Sequence, residues 1–313
     1  MLYALLLQCL TFVSFNVENL FDCQHDTLKN DTEWLPDGKN RWSKTRYWRK
    51  LNHIAQEVIA CGETDGGWML PDLVALCEVE NDTVMRDLTR RSALCNARYE
   101  YVMTDSPDPR GIDVALMYSP FSFSLIHHHA IRVTPVKGMH PPRDILYVRG
   151  RVMGGDTLHV YVVHAPSRSG GERATRSHRL AVAHRLCASL DSLHQCSPHA
   201  KVIIAGDFND YHQAPSLALL AGKGMVDVSE KAQGTYGAKA TYRFQGEWGS
   251  LDHIFVSPSL ANSLQDCRVF DAPFVVEEDE KYGGIKPFRT YLGPRYLGGY
   301  SDHLPLVAHF RFQ

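Results

Sequence analysis

Lys201-Val202-Ile203-Ile204-Ala205-Gly206-Asp207-Phe208-Asn209 is the stretch on which the reading of this chain turns. Its apolar, partly β-branched run reads as a buried strand, and a charge at the end of such a run has to be paired, solvated or coordinated. The strand therefore delivers a carboxylate and a carboxamide to one rim of a sheet. Asp207 and Asn209 stand two apart, which on a pleated strand puts both side chains on one face, able to grip one cluster of oxygens. For the pair taken alone, the alternative is an Asx turn that merely closes the strand.

The same arrangement recurs along the sequence. Leu10 to Phe15 is followed by Asn16 and Glu18, Leu73 to Cys77 by Glu78, and Val160 to Val163 by His164. Asp252 opens the apolar run His253 to Val256, and Ser301-Asp302-His303-Leu304-Pro305 precedes the last strand. Polar tips from Asn16 to His303 imply that both ends of the chain close on one site. Length alone leans towards two domains, but this placement points to a single domain over 10–313, preceded by an apolar leader remnant or extension over 1–9.

That leader has no Lys or Arg and no small-x-small cleavage site before the first strand, so it reads as a truncated signal peptide or an extension. A spanning helix would consume Thr11 to Phe15, which the pattern needs as strand; no transmembrane segment is expected. The compartment, cytoplasmic or exported, stays open.

The chain has 313 residues, 44% of them apolar and 22% charged, an ordinary balance for a packed globular protein. A net charge of −2 argues against gripping long duplexes through a broad basic face and leaves a short, local or small anionic substrate. The eight cysteines show no Cys-x-x-Cys and no zinc-like spacing. Cys77 and Cys187 fall inside apolar patterns, and mostly reduced thiols are expected.

Helices are predicted from a Ser43 cap to about Gly62, from Asp82 through Leu94, over Glu172 to His194 and over Pro215 to Leu220. Further strands are predicted at Tyr99 to Met103, Ile112 to Tyr118, Phe123 to Ile126, Ile145 to Val152, Thr157 to Val163, Thr241 to Phe244, Leu251 to Val256, Arg268 to Phe270 and Leu304 to Phe310. Gly154-Gly155-Asp156 is a hairpin signal. These periodicities establish an α/β class and no more.

Phosphoester hydrolysis requires a hard cation, an activated water, and stabilisation of charge on the phosphoryl and leaving oxygens. Asp, Glu and Asn oxygens suit magnesium or manganese, and magnesium needs only one or two carboxylates. Glu78, ending an apolar strand, is the first candidate ligand, with Asn16 beside it on the ion and on the phosphate; Glu18 is either a further ligand or a solvated loop acid. His303 has a side chain whose ordinary pKa suits proton transfer near neutrality. Arg168, between Ser167 and Ser169 and before Gly170-Gly171, either lines a phosphate or is a solvated loop residue. Arg41 to Lys50 mixes cations and rings, and the ordinary amphipathic helix is the better account of it. Lys281 to Tyr300 either walls the substrate or is a structural loop. His127-His128-His129 reads as strand-edge filler.

With Gly206-Asp207-Phe208-Asn209, Glu78, His164, Leu251-Asp252-His253 and Ser301-Asp302-His303 in place, the chain from Thr11 to its last residue resembles the endonuclease/exonuclease/phosphatase superfamily, the DNase I-like phosphoesterases. The resemblance implies a four-layer α/β sandwich: two packed, mostly antiparallel mixed sheets with helices outside. It further implies that Asp207 positions or deprotonates the attacking water, Asn209 stabilises the oxyanion, Asp252 orients His303, and Asp302 is a second ligand or water bridge. Glu18 falls where related abasic-site endonucleases carry Asp. His164 resembles the histidine of pancreatic-type DNases, where abasic-site endonucleases carry Tyr, which favours contact with the phosphate or protonation of the leaving oxygen. The expected function is a magnesium- or manganese-dependent phosphodiester hydrolase, an endonuclease-like nuclease acting on nucleic acid as a monomer. The rivals are a phosphatase or a lipid phosphoesterase of sphingomyelinase or inositol-phosphate type, and a catalytically inactive binding module.

Overall fold

The computed structural model describes residues 8–64 and 66–312; the expected leader up to residue 7 lies outside the described residues. Two six-stranded sheets carry the fold. In chain order their strands are β1 (Gln8–Leu20), β2 (Leu73–Val79), β3 (Glu100–Met103), β4 (Asp113–Tyr118), β5 (Phe123–Ile131), β6 (Ile145–Val152), β7 (Thr157–His164), β8 (Lys201–Asp207), β9 (Val226–Asp227), β10 (Asp252–Val256), β11 (Leu264–Val269) and β12 (Leu306–Phe312). One sheet has the order β11-β12-β1-β2-β4-β3 and the other β9-β10-β8-β7-β6-β5. Each contains one parallel pair at its centre, β1 with β2 and β7 with β8, and is otherwise antiparallel.

A parallel pair needs a crossover, and helices supply it: α1 (Lys44–Ala60) between β1 and β2, α3 (Glu172–Cys196) between β7 and β8. Ser43 caps α1 by accepting the Arg46 N–H, as its position before the amphipathic run predicts. The pleat sorts β8 cleanly. Ile203 and Ala205 join the core shared with the first sheet, while Val202 and Ile204 pack with Val182, Leu186 and Leu190 of α3 and Leu217 of α4 (Pro215–Gly222). The result is helix, sheet, sheet, helix, as expected.

Several boundaries differ from expectation. The helix begun at Asp82 (α2) ends at Arg90, with Leu94 buried in the turn after it. Strand β5 runs on to Ile131 and takes in His127, His128 and His129, and β11 lies at Leu264–Val269 rather than Arg268 to Phe270. The last strand starts at Leu306 because Pro305, with no N–H, cannot join the ladder. At the other end, β1 takes in Gln8 and Cys9, which pair with Phe312 and Arg311. All eight cysteines are free, with Cys77 and Cys187 buried.

Candidate active site

Strand direction gathers the site. The C-terminal ends of both parallel pairs reach the same rim, and β10 and β12, antiparallel to their neighbours, begin there. Asp207 and Asp252 are cross-strand partners in the second sheet. Inner-face parity then points Asn16, His164, Asp207 and Asp252 into the seam between the sheets.

Asp207 is its centre. The Asn16 carboxamide donates to its Oδ2 at 3.0 Å, and His164 Nε2 lies 3.6 Å from the same oxygen and 3.7 Å from Glu78 Oε1. Oδ1 accepts the backbone N–H of Asn209 at 2.8 Å, and the Asn209 amide donates to Asp207 Oδ2 and to the Ala165 carbonyl, each at 3.1 Å. This corrects the pleat argument. Asn209 lies beyond the strand with φ +51°, so the two side chains meet through an Asx turn and a left-handed residue. The turn and the polar cluster are one structure, not alternatives.

Left-handed backbone recurs around the rim, at Glu18 and Asn19 (φ +52° each) and Glu78 (φ +68°). Both acids lie where the ladder of β1 or β2 loses register, and such bulges re-aim side chains. Non-glycine residues held there store strain that the surrounding packing must overcome, and such strain gathers at functional sites. Glu78 Oε2 accepts the Asn19 N–H at 2.8 Å, which leaves Oε1 towards His164.

Asp252 and His303 form the other half. His303 Nδ1 lies 2.7 Å from Asp252 Oδ2, which also accepts the Thr241 hydroxyl at 2.6 Å. Tyr242 pairs with His303 by a backbone bridge and lays its ring 4.9 Å from the imidazole. Burial opposes charge on His303, but Asp252, Asp207 and Asp302 outweigh it and hold the imidazole well above its ordinary pKa. His164 goes the other way. Burial, with Arg143, Arg110 and His303, pushes it well below, so a charged and a neutral imidazole flank one carboxylate. Burial raises Asp207 to about 7, with His303 pulling against it.

Ligand atoms of Asp207, Asp252 and His303 lie within 4.8 Å of one another. Asp252 Oδ1 is buried without a hydrogen-bond partner, a cost that a cation would remove. The two carboxylates fit a hard divalent ion, with Asn16 and Glu78 opposite, while His303, held charged, stands beside them as a proton donor. The remaining expected ligands stand elsewhere. Both Glu18 oxygens accept backbone N–H groups, from Thr290 at 2.6 Å and Tyr291 at 3.2 Å, and Asp302 pairs with Arg289 at 2.8 Å. Glu18 thus anchors the 289–291 segment, the loop-acid side of the two readings the sequence left open.

Arg168 lies over the Tyr211 ring at 4.4 Å. Two arginines, Arg143 and Arg110, escaped the sequence reading, and a third, Arg289, lay in the 281–300 stretch read as a substrate wall or a structural loop. Arg143 binds the carbonyls of His164 and Ala165, Arg110 donates to Asn19 Oδ1 at 2.7 Å, and Arg289 holds Asp302.

A family model described as the Endonuclease/Exonuclease/phosphatase family matches residues 11–311. The uncharacterized protein YbhP of Escherichia coli (strain K12) is 29% identical over 184 residues, spanning 58% of this chain and 58% of that protein. The match thus covers little more than half the length of that relative. Among solved structures, the mannosyl-6-phosphatase of Bacteroides thetaiotaomicron VPI-5482 superposes with a TM-score of 0.63 at 19% identity, over 97% of this chain and 100% of that one. The human Nocturnin catalytic domain, with a bound sulfate anion, gives 0.58 at 19%, over 97% and 95%. Truncated TDP2 of Caenorhabditis elegans gives 0.58 at 18%, over 96% and 97%. At these identities the superpositions speak to fold alone.

Proposed function

This chain belongs to the endonuclease/exonuclease/phosphatase family, and on that premise we propose that it is a phosphodiesterase that cleaves nucleic acid by direct attack of water. Phosphoester hydrolysis is the family's chemistry. The observation that carries the finer reading is the convergence on Asp207 of Asn16, His164 and the Asp252–His303 pair, drawn from both sheets.

Asp207 and Asp252, with Asn16 and Glu78 opposite, would hold magnesium or manganese, and the ion would supply neutralisation of phosphoryl charge and a more acidic water. Asp207 takes the proton of the attacking water, and Asn16 and Asn209 keep its carboxylate in one orientation. His303, charged by its acidic neighbours, donates to a phosphoryl oxygen. Neutral His164 keeps an N–H for the leaving oxygen. Water adds its oxygen to phosphorus as the P–O ester bond breaks, and the alcohol departs with a proton.

Nucleic acid is favoured over a small monoester by the rim. Arg168 on Tyr211, Arg110, Arg289 and Tyr242 interleave cations and rings as single-strand-binding surfaces do. Rates on bis(p-nitrophenyl) phosphate and p-nitrophenyl phosphate, then gels of plasmid and single-stranded DNA with magnesium or manganese, test this, with Asp207→Ala as the control. Faster monoester hydrolysis with intact DNA would assign a phosphatase instead. Equal rates for Asp207→Ala and its parent would remove the mechanism altogether.

A further inference from the structure

A second polar cleft opens at the far end of the second sheet. Thr157 and Lys201 begin the strands that His164 and Asp207 end, so it lies about 20 Å from the hydrolytic centre at ~3.3 Å per strand residue. Its volume is about 690 Å³, within the usual range for small-ligand sites.

The pleat builds it. Arg149 and Arg151 stand two apart on β6, opposite His159 and Thr157 of β7, so all four face the outer side of the sheet beyond the end of α3. Among the described residues lining the cleft Asp156 is the only acid, and Lys201 binds it. Neither Arg149 nor Arg151 has an ion-pair or hydrogen-bond partner among the described residues. Two guanidinium forks about 7 Å apart at their backbones therefore share a concave surface whose single acid, Asp156, is already paired with Lys201. His159 is buried, with Nδ1 2.7 Å from the Tyr147 hydroxyl. Burial, with Arg149 and His194, pushes it down to about 4. The ring is thus neutral and adds no charge of its own to the cleft. Two fixed cations, a neutral imidazole and the Thr157 hydroxyl form a set suited to anionic oxygens, with Asp156 neutralised by Lys201.

We propose that this cleft is a second anion-binding site, remote from the hydrolytic centre, which takes a ligand carrying phosphate groups through Arg149 and Arg151. The planar guanidinium fork matches phosphate oxygens in bidentate fashion. The same chemistry fits a free nucleotide or sugar phosphate and one stretch of a nucleic-acid strand. The inference does not depend on the substrate assigned above.

Calorimetric titration of pyrophosphate into the full chain in EDTA tests it, parent against the double variant Arg149→Gln/Arg151→Gln. The expected result is a binding event in the parent that the variant weakens about tenfold or more, with bis(p-nitrophenyl) phosphate hydrolysis unchanged. Arg149→Lys/Arg151→Lys, which keeps charge but loses the fork, should recover part of the affinity. A parallel titration with a short single-stranded oligonucleotide separates the sources. A matching loss points to a strand reaching the cleft, and unchanged oligonucleotide affinity to a small phosphorylated ligand. Absence of pyrophosphate binding in the parent, or identical isotherms in parent and variant, would overturn the proposal.

Discussion

At Asp207 the surrounding groups differ in what their removal should cost. His303→Ala removes the charged donor held by Asp252, and Asn209→Ala removes the amide that braces the carboxylate. Each is expected to lower turnover about a hundredfold or more, the scale of one acid–base or oxyanion contact, in steady-state assays with near-UV circular dichroism confirming the fold. A buried acid outside the site offers a cleaner electrostatic test. Glu57 of α1 has both carboxylate oxygens buried without a partner, and burial raises its pKa well above 4.5, with Lys50 opposing. Below about pH 4.5 folded and unfolded chains both keep the proton. Above it the unfolded chain releases a proton that the folded chain retains, so stability falls by about 1.4 kcal/mol per pH unit until the folded group ionises. Urea unfolding should show Glu57→Gln gaining on its parent between pH 5 and pH 8; parallel pH profiles would refute it. The sequence exposed Asp207, Glu78 and His164 because each ends an apolar run. It offered the Asx turn only as a rival to the polar pair, and it hid the Thr290 and Tyr291 amides that occupy Glu18, since left-handed φ at Asn and Glu leaves no pattern in composition.

Strands deliver the site, and their own glycine shows how tightly. Gly206 has φ +137°, and a Cβ there would sit 1.9 Å from the Val163 carbonyl oxygen on β7. Gly206→Ala must therefore part the parallel pair next to both His164 and Asp207. We expect a loss of roughly 1–3 kcal/mol or more, read as a lower urea midpoint, together with lower turnover; an unchanged midpoint would show that the pair slides freely. Loops are the other element that matters. Lys50, buried in α1, donates to Thr290 Oγ1 at 2.5 Å and to the Tyr300 carbonyl, while Glu18 takes the Thr290 and Tyr291 amides. This latch holds the segment that leads into Asp302 and His303. Helix α1 was legible from its cap and stripe, but its cross-link to residues 240 and more positions away was not, because long-range pairing of a buried Lys has no local signature. Pro305 and Arg90 mark ends that shifted for local reasons, a missing N–H in one case and a backbone that leaves helical φ at Arg91 (−130°) in the other.

At the scale of the whole molecule, carboxylates from both sheets, Glu78 from one and Asp207 and Asp252 from the other, meet at one rim, where Asp252 Oδ1 is buried without a hydrogen-bond partner, and that sets the response to metal. EDTA should abolish hydrolysis and magnesium or manganese restore it; the ion should also raise the melting temperature, equivalent to about 2.7 kcal/mol at a hundredfold excess over its dissociation constant. A melting curve indifferent to both ions would argue against Asp207 and Asp252 as ligands. The layer order was legible only through resemblance, since alternation along strands says which face is apolar but not which sheet covers it. The pairing of Gln8 with Phe312 at the ends of β1 and β12 carries one more consequence. Tension applied at those two points would open the antiparallel ladder like a zip, loading one rung at a time instead of shearing many together. Since β1 also bears Asn16, a pull of that kind would strip the centre of the first sheet, and with it one wall of the catalytic seam, before the second sheet felt any force.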